Sequence, residues 1–143
     1  MPKHYESSEI VKQLQAKGLK ITPQRVGVYA NLLRRCDHPT VEQILTDLNT
    51  DLPIASKATV YSSLTALRKV GLVREVLLEE GVCRYDANIE PHHHFLCTAC
   101  GTIEDVDWDA VKPPELDRLR PGLQVKRYEA TIHGLCDRCS DSE

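Results

Sequence analysis

Apolar residues recur at helical spacing through the first half of the chain and at strand spacing through much of the second. Ile10, Val11 and Leu14 form the first helical stripe, with Ser7 or Ser8 placed to cap it and Gly18 to end it. Thr22-Pro23 opens a second helix, with a hydroxyl at the cap and a proline in the first turn, where its missing N–H costs nothing. Val26, Tyr29, Leu32 and Leu33 supply its buried side, and Cys36-Asp37-His38-Pro39 ends it. Thr40-Val41-Glu42-Gln43 has the spacing of a capping box and starts a third helix with Val41, Ile44, Leu45 and Leu48 inward. Asp51-Leu52-Pro53 breaks the chain again. Ser56 caps a fourth helix, Lys57 to Val70, that buries Val60, Leu64 and Leu67 and ends at Gly71.

The period then changes to two. Leu72–Leu78 and Val82–Asp86 flank Glu79-Glu80-Gly81, which predicts a hairpin. Helices followed by a two-stranded ribbon predict a winged helix-turn-helix over residues 1–86, with the fourth helix in the major groove of DNA. The residues at its N-terminal end, Lys57, Ala58, Thr59, Tyr61 and Ser62, are the ones that can reach base edges and phosphates. A small helical domain that packs on protein has the same pattern and is the plain alternative.

Asp86-Ala87-Asn88-Ile89-Glu90-Pro91 is polar and ends in proline, so a hinge is placed at residues 87–91. Beyond it, Thr102–Trp108 reads as a strand, Glu115–Arg120 as a short helix after Pro113-Pro114, and Leu123, Val125, Tyr128, Ala130 and Ile132 as a second long strand. The fold class expected is therefore α+β: a winged-helix domain, then a small α/β domain over residues 92–143. So small a domain has little core of its own, and a structural metal and dimerisation would both help it.

Charge sharpens the division. Residues 1–70 carry 10 Lys and Arg against 6 Asp and Glu, and residues 71–143 carry 8 against 15, so the halves stand at +4 and −7. The basic excess favours DNA over protein as the partner of the first half. No apolar run approaches a membrane span and the start of the chain has no signal-peptide core. A cytoplasmic location is expected, where cysteines stay reduced and tend to bind metal.

Cys97-Thr98-Ala99-Cys100 and Cys136-Asp137-Arg138-Cys139 are two Cys-x-x-Cys pairs separated by 35 residues. Each pair can place two thiolates on one turn, and two pairs close the coordination shell of a tetrahedral zinc ion, Zn(II). Cys36 and Cys83 stand outside this pattern as ordinary thiols. His92-His93-His94 lies just upstream, and a four-cysteine site has no use for it, so a second metal is expected. On a strand His92 and His94 point to one face and His93 to the other, which makes His93 the non-ligand. Asp86 and Asp105 are carboxylates within reach along the chain. His38, alone in a loop, stays unassigned on residue chemistry, and His4 and His133 have no partners in the spacing. Such a mixed nitrogen and oxygen set suits Fe(II), Mn(II) or zinc and is too hard for Cu(I).

Read together, His38-Pro39-Thr40, Ala58-Thr59-Val60-Tyr61, Arg84-Tyr85-Asp86, His92-x-His94 and Cys97-x-x-Cys100-Gly101 with Cys136-x-x-Cys139 resemble the ferric uptake regulator (Fur) superfamily over nearly the whole chain. The resemblance implies a homodimeric, metal-dependent bacterial repressor that binds a palindromic double-stranded DNA operator and is not an enzyme. It implies a structural zinc on Cys97, Cys100, Cys136 and Cys139, and a regulatory Fe(II) or Mn(II) on His38, Asp86, His92, His94 and Asp105. With His38 included, that ion would bridge the hinge.

Within the family the chain most resembles the peroxide-stress regulators. Their branch tends to carry Asp where iron sensors carry Glu, and the count from Cys100-Gly101 selects Asp105 over Glu104. Tyr128 stands where iron sensors often have a further histidine, and His133 where a Tyr is usual. The implied mechanism is oxidation of His38 or His92 when peroxide meets the bound Fe(II), followed by release of DNA. No small-molecule substrate other than peroxide is expected. The alternatives are an iron-responsive or zinc-responsive repressor, a zinc enzyme suggested by His4-Tyr5-Glu6, and a thiol switch using Cys36 or Cys83.

Overall fold

Five α-helices and five strands, with two short 3-10 turns, organise the computed structural model, which describes residues 6–35, 37–50, 53–79 and 81–140. The chain divides into two compact units, Met1–Ile89 and Glu90–Glu143. Among the described residues no helix is long and apolar enough to cross a membrane.

The first unit holds α1 (Ser7–Ala16), α2 (Pro23–Arg34), α3 (Val41–Leu48), α4 (Lys57–Lys69) and an antiparallel hairpin of β1 (Arg74–Glu79) and β2 (Val82–Asp86). Helix, helix, helix and ribbon in this order is the winged-helix arrangement. Its core joins Ile10 and Leu14 of α1, Val28, Tyr29 and Leu32 of α2, Ile44 of α3, and Val60, Leu64 and Leu67 of α4. The starts of α2, α3 and α4 are held by their own side chains. Thr22 accepts from the Arg25 amide, and Thr40 with Gln43 and Ser56 with Thr59 form reciprocal capping boxes. Gly27 lies inside α2, where it weakens the helix but admits α3: a Cβ there would stand 3.1 Å from Leu48 Cδ2.

In the first unit two local expectations fail. Neither Ser7 nor Ser8 caps α1, because the helix already includes both and is entered from Glu6 with no side-chain cap. The buried side of α2 centres on Val28, Tyr29, Asn31 and Leu32, so Val26 and Leu33 only flank the core. His4, Cys36, the break at Asp51-Leu52 and the turn residue Glu80 lie outside the described residues.

The second unit is a three-stranded sheet in the order β4-β3-β5, from β3 (His93–Cys97), β4 (Ile103–Val106) and β5 (Thr131–Gly134), followed by α5 (Asp137–Ser140). β3 pairs antiparallel with β4 and parallel with β5. The expected strand to Trp108 stops at Val106, since Trp108–Ala110 turn into a 3-10 helix. The expected helix after Pro113-Pro114 is one 3-10 turn, Leu116–Arg118. The long strand pattern from Leu123 yields a ladder only at Thr131–Gly134, because β3 offers no partner length to the residues before it.

Leu64 is buried at the centre of the first unit, where α4 meets the rest of the core. Leu64→Ala is expected to lower stability by about 3 kcal/mol through lost burial and a residual cavity. Urea denaturation followed by circular dichroism measures it, and a loss under about 1 kcal/mol would show that α4 is not anchored through this residue.

Candidate metal centres and nucleic-acid face

The cysteine centre is a product of strand direction. Parallel pairing aligns Cys97 with Gly134, so the turn after β3 and the turn after β5 fall at the same end of the sheet. Two bonds seal that end: Thr98 donates its amide to the Gly134 carbonyl at 2.8 Å and its hydroxyl to the same oxygen at 3.2 Å. Gly101, at φ +77°, reverses the chain after Cys100 in a left-handed conformation that glycine adopts without strain. Sulfurs of Cys97, Cys100, Cys136 and Cys139 then lie within 4.8 Å of one another. All of them are free thiols.

These thiols do not behave alike. Backbone amides, first that of Cys100 and then that of Cys136, bring Cys97 down to about 6. The Thr102 hydroxyl, 3.0 Å from the Cys100 sulfur, lowers that thiol as well. Cys139 is pushed up to about 12, chiefly by hydrogen bonding to Cys136 and then to the other sulfurs. Four clustered sulfurs cannot all ionise on their own, and a divalent cation among them removes that conflict. The all-sulfur donor set fits zinc, which takes four thiolates tetrahedrally. Arg138 donates to the Thr102 hydroxyl at 3.0 Å and adds a positive charge beside the cluster.

The histidine cluster begins at β3. His94 and Asp105 are cross-strand partners, so their side chains share a face, and Phe95 opposes Glu104. Asp105 Oδ1 lies 3.4 Å from His92 Nε2 and 3.8 Å from His94 Nε2. His92 Nδ1 is 2.6 Å from the Glu90 carbonyl oxygen, which can only accept, so that nitrogen carries the proton. His92 Nε2 therefore directs a lone pair toward a carboxylate, an arrangement that calls for a cation between them, either a proton or a metal. His93 faces the other way. It stacks on Trp108 with ring centres 4.5 Å apart, and its Nδ1 accepts from the Ala130 amide at 2.8 Å.

Within the first unit a second carboxylate–imidazole pair forms, His38 Nε2 to Asp86 Oδ2 at 3.2 Å. The connection before α3 is docked on β2, where Tyr85 donates its amide to the Pro39 carbonyl at 3.0 Å and Arg84 Nη1 donates to the His38 carbonyl at 3.1 Å. His38 is buried and sits at φ +54°, a left-handed backbone that costs a non-glycine residue about 1–2 kcal/mol. Spacing alone left this residue unassigned. Neither its backbone strain nor its partner 48 residues away can be read from the chain.

α4 presents Lys57, Ala58, Thr59, Tyr61 and Ser62 on its exposed side, with Tyr61 46% exposed. Two of them are already engaged. Lys57 pairs with Glu42 at 2.8 Å, and the Thr59 hydroxyl donates to the Ser56 carbonyl at 2.8 Å as part of the cap. Tyr61 and Ser62 are the more open groups. Cys83, exposed on β2, donates to Glu75 at 3.1 Å, and Glu75 also pairs with Arg68.

A winged-helix unit joined to a sheet unit bearing clustered thiolates and imidazoles defines a metal-responsive DNA-binding regulator. The model of the ferric uptake regulator family matches residues 16–133, and the chain belongs to that family. It is 31% identical over 140 residues, 96% of this chain and 93% of the other, to the peroxide-responsive repressor PerR of Staphylococcus aureus strain Mu50. The solved structure of the Campylobacter jejuni peroxide stress regulator is 28% identical, covers 95% of this chain and all of its own, and superposes with a TM-score of 0.64. The Helicobacter pylori ferric uptake regulator Fur superposes with a TM-score of 0.73 over the whole chain and 99% of its own, and at 22% identity it attests the fold alone. Members of the family are dimeric transcriptional regulators, so the zinc-enzyme alternative falls.

Cys97→Ser is expected to empty the cysteine cluster and dissociate the dimer, because metal binding in so small a unit is folding free energy. Zinc content by atomic absorption and mass by light scattering check it. A zinc-loaded, stable dimer would contradict it.

Proposed function

We propose that the protein is a peroxide-responsive repressor of peroxide-stress genes. The observation that carries this reading is Asp105, a carboxylate one carbon shorter than Glu, paired in register with His94 and next to His92 Nε2. The 31% identity to a peroxide-responsive repressor along nearly the full chain supports it.

The residues have distinct roles. Cys97, Cys100, Cys136 and Cys139 hold a structural zinc that is saturated with thiolates and takes no part in sensing. We read His38, Asp86, His92, His94 and Asp105 as the residues that would hold one regulatory Fe(II) or Mn(II). Fe(II) bound there supplies one-electron reduction of peroxide, which Mn(II) does poorly. Asp86 and Asp105 balance the charge of the ion, while the Glu90 carbonyl fixes the His92 tautomer so that Nε2 faces it. The imidazoles of His38 and His92 are the groups oxidised, and an oxidised ring is a poor ligand. Loss of such a ligand would weaken metal binding and, with it, binding to DNA.

Residues 1–86 read DNA through Lys57, Ala58, Thr59, Tyr61 and Ser62, residues 87–91 are the hinge, and residues 92–143 dimerise. Exposed Leu123, Val125, Ile132 and Leu135 support the last role, since a partner's surface would cover them. A dimer doubles the contact and matches a palindromic operator. The protein acts in the bacterial cytoplasm.

Mass spectrometry of peptides after brief low-dose peroxide tests the reading. One added oxygen on His38 or His92 is expected in the Fe(II)-loaded protein and none in the Mn(II)-loaded protein. Unmodified histidines with intact DNA binding would point instead to an iron-responsive repressor, and oxidation confined to Cys36 or Cys83 to a thiol switch.

A further inference from the structure

An ionic chain around the connection between α2 and α3 is left unexplained by the ligands themselves. Arg35, the residue that closes α2, grips Asp37 with a fork: Nε lies 3.0 Å from Oδ1 and Nη2 lies 2.9 Å from Oδ2. Its third nitrogen, Nη1, lies 3.0 Å from Asp47 Oδ2 on α3. The same Asp47 oxygen accepts from Nδ2 of the fully buried Asn31 at 2.8 Å. One guanidinium thus ties the end of α2, the connection and α3 together. It also holds the Asp37 carboxyl below its usual range, first through the hydrogen bond.

Asp37 is the residue before His38, whose backbone is the only non-glycine one at positive φ among the described residues. A strained turn persists only where its surroundings hold it. On the far side Arg84 grips the His38 carbonyl and Tyr85 the Pro39 carbonyl. On the near side the hold is Arg35.

We infer that Arg35 is a positioning residue for His38, fixing through Asp37 and Asp47 the left-handed turn that presents the imidazole to a divalent metal. The inference rests on the reading of His38 as a ligand. Lysine cannot replace the fork, because an ammonium is a point charge without the paired planar donors. Groups that orient a ligand set metal affinity without touching the metal.

The test is Mn(II) titration of the zinc-loaded, full-length protein, with free Mn(II) read by electron paramagnetic resonance. Arg35→Lys is expected to weaken Mn(II) binding by roughly tenfold or more, as loss of an outer-shell partner does. Zinc content and the unfolding midpoint of the metal-free protein should stay near wild type, while amide exchange at Asp37, His38 and Thr40 quickens. Saturating Mn(II) should restore DNA binding, which a merely structural defect would not allow. His38→Ala serves as the reference. Loss of binding in His38→Ala with Arg35→Lys within about twofold of wild type would overturn the inference alone. Wild-type affinity in His38→Ala would overturn the metal reading and the inference with it. Should Arg35→Lys fail to fold, Asp37→Asn carries the same comparison, because Asp37 is exposed and only its half of the fork is lost.

Discussion

The parallel pairing of β3 with β5 is the constraint on which the second unit depends. A parallel neighbour must return to the same end of the sheet, and the stretch between the cysteine pairs is spent making that return. Only then do two turns, far apart in sequence, stand side by side and offer four sulfurs to one point. The unit has little else to hold it. Its buried apolar residues are Leu96, Cys97, Ile103 and Cys136, and two of these belong to the cluster. Hydrophobic burial on this scale does not support an independent fold, so the sulfur cluster stands where a core would otherwise be.

The first unit is built on the opposite economy. Four helices share one apolar core, and the starts of α2, α3 and α4 are closed by their own hydroxyls and amides. That self-sufficiency limits the groups that α4 leaves open. Thr59 is engaged in the cap and Lys57 with Glu42, so any incoming anion would compete with a carboxylate for that lysine. Both ends of the pair are exposed, and exposed pairs exchange partners at little cost.

Local chemistry was legible in the chain and distant pairing was not. The caps at Thr22, Thr40 and Ser56 follow from residue types at fixed offsets, and all three appear. Ser7 and Ser8 misled because a serine before an apolar stripe can equally sit inside the first turn. The strand from Leu123 was overdrawn because alternation records which residues could line a face, not whether a neighbour is present to pair with them. The x2 spacing of the cysteines pointed to one shared cluster, but the parallel register that brings them together leaves no trace in sequence. Period-two alternation placed His93 opposite its neighbours, and it is found against Trp108. The supports of His38 were invisible: Arg84 lies 46 positions away, Asp47 stands 12 from Arg35, and a positive φ at a histidine has no sequence signature.

The stack of His93 on Trp108 has an optical side. The chain contains one tryptophan, and its ring lies 4.5 Å from the imidazole between His92 and His94, with Tyr128 tilted against it at 4.7 Å. Indole emission is sensitive to the polarity and order of whatever covers its face. The sole fluorophore of this kind is therefore wired by a single residue to the strand that carries His94 and directly follows His92. The protein brings its own dye, sited beside the histidine cluster, and a change in how that strand is held can be followed by light without attaching a label.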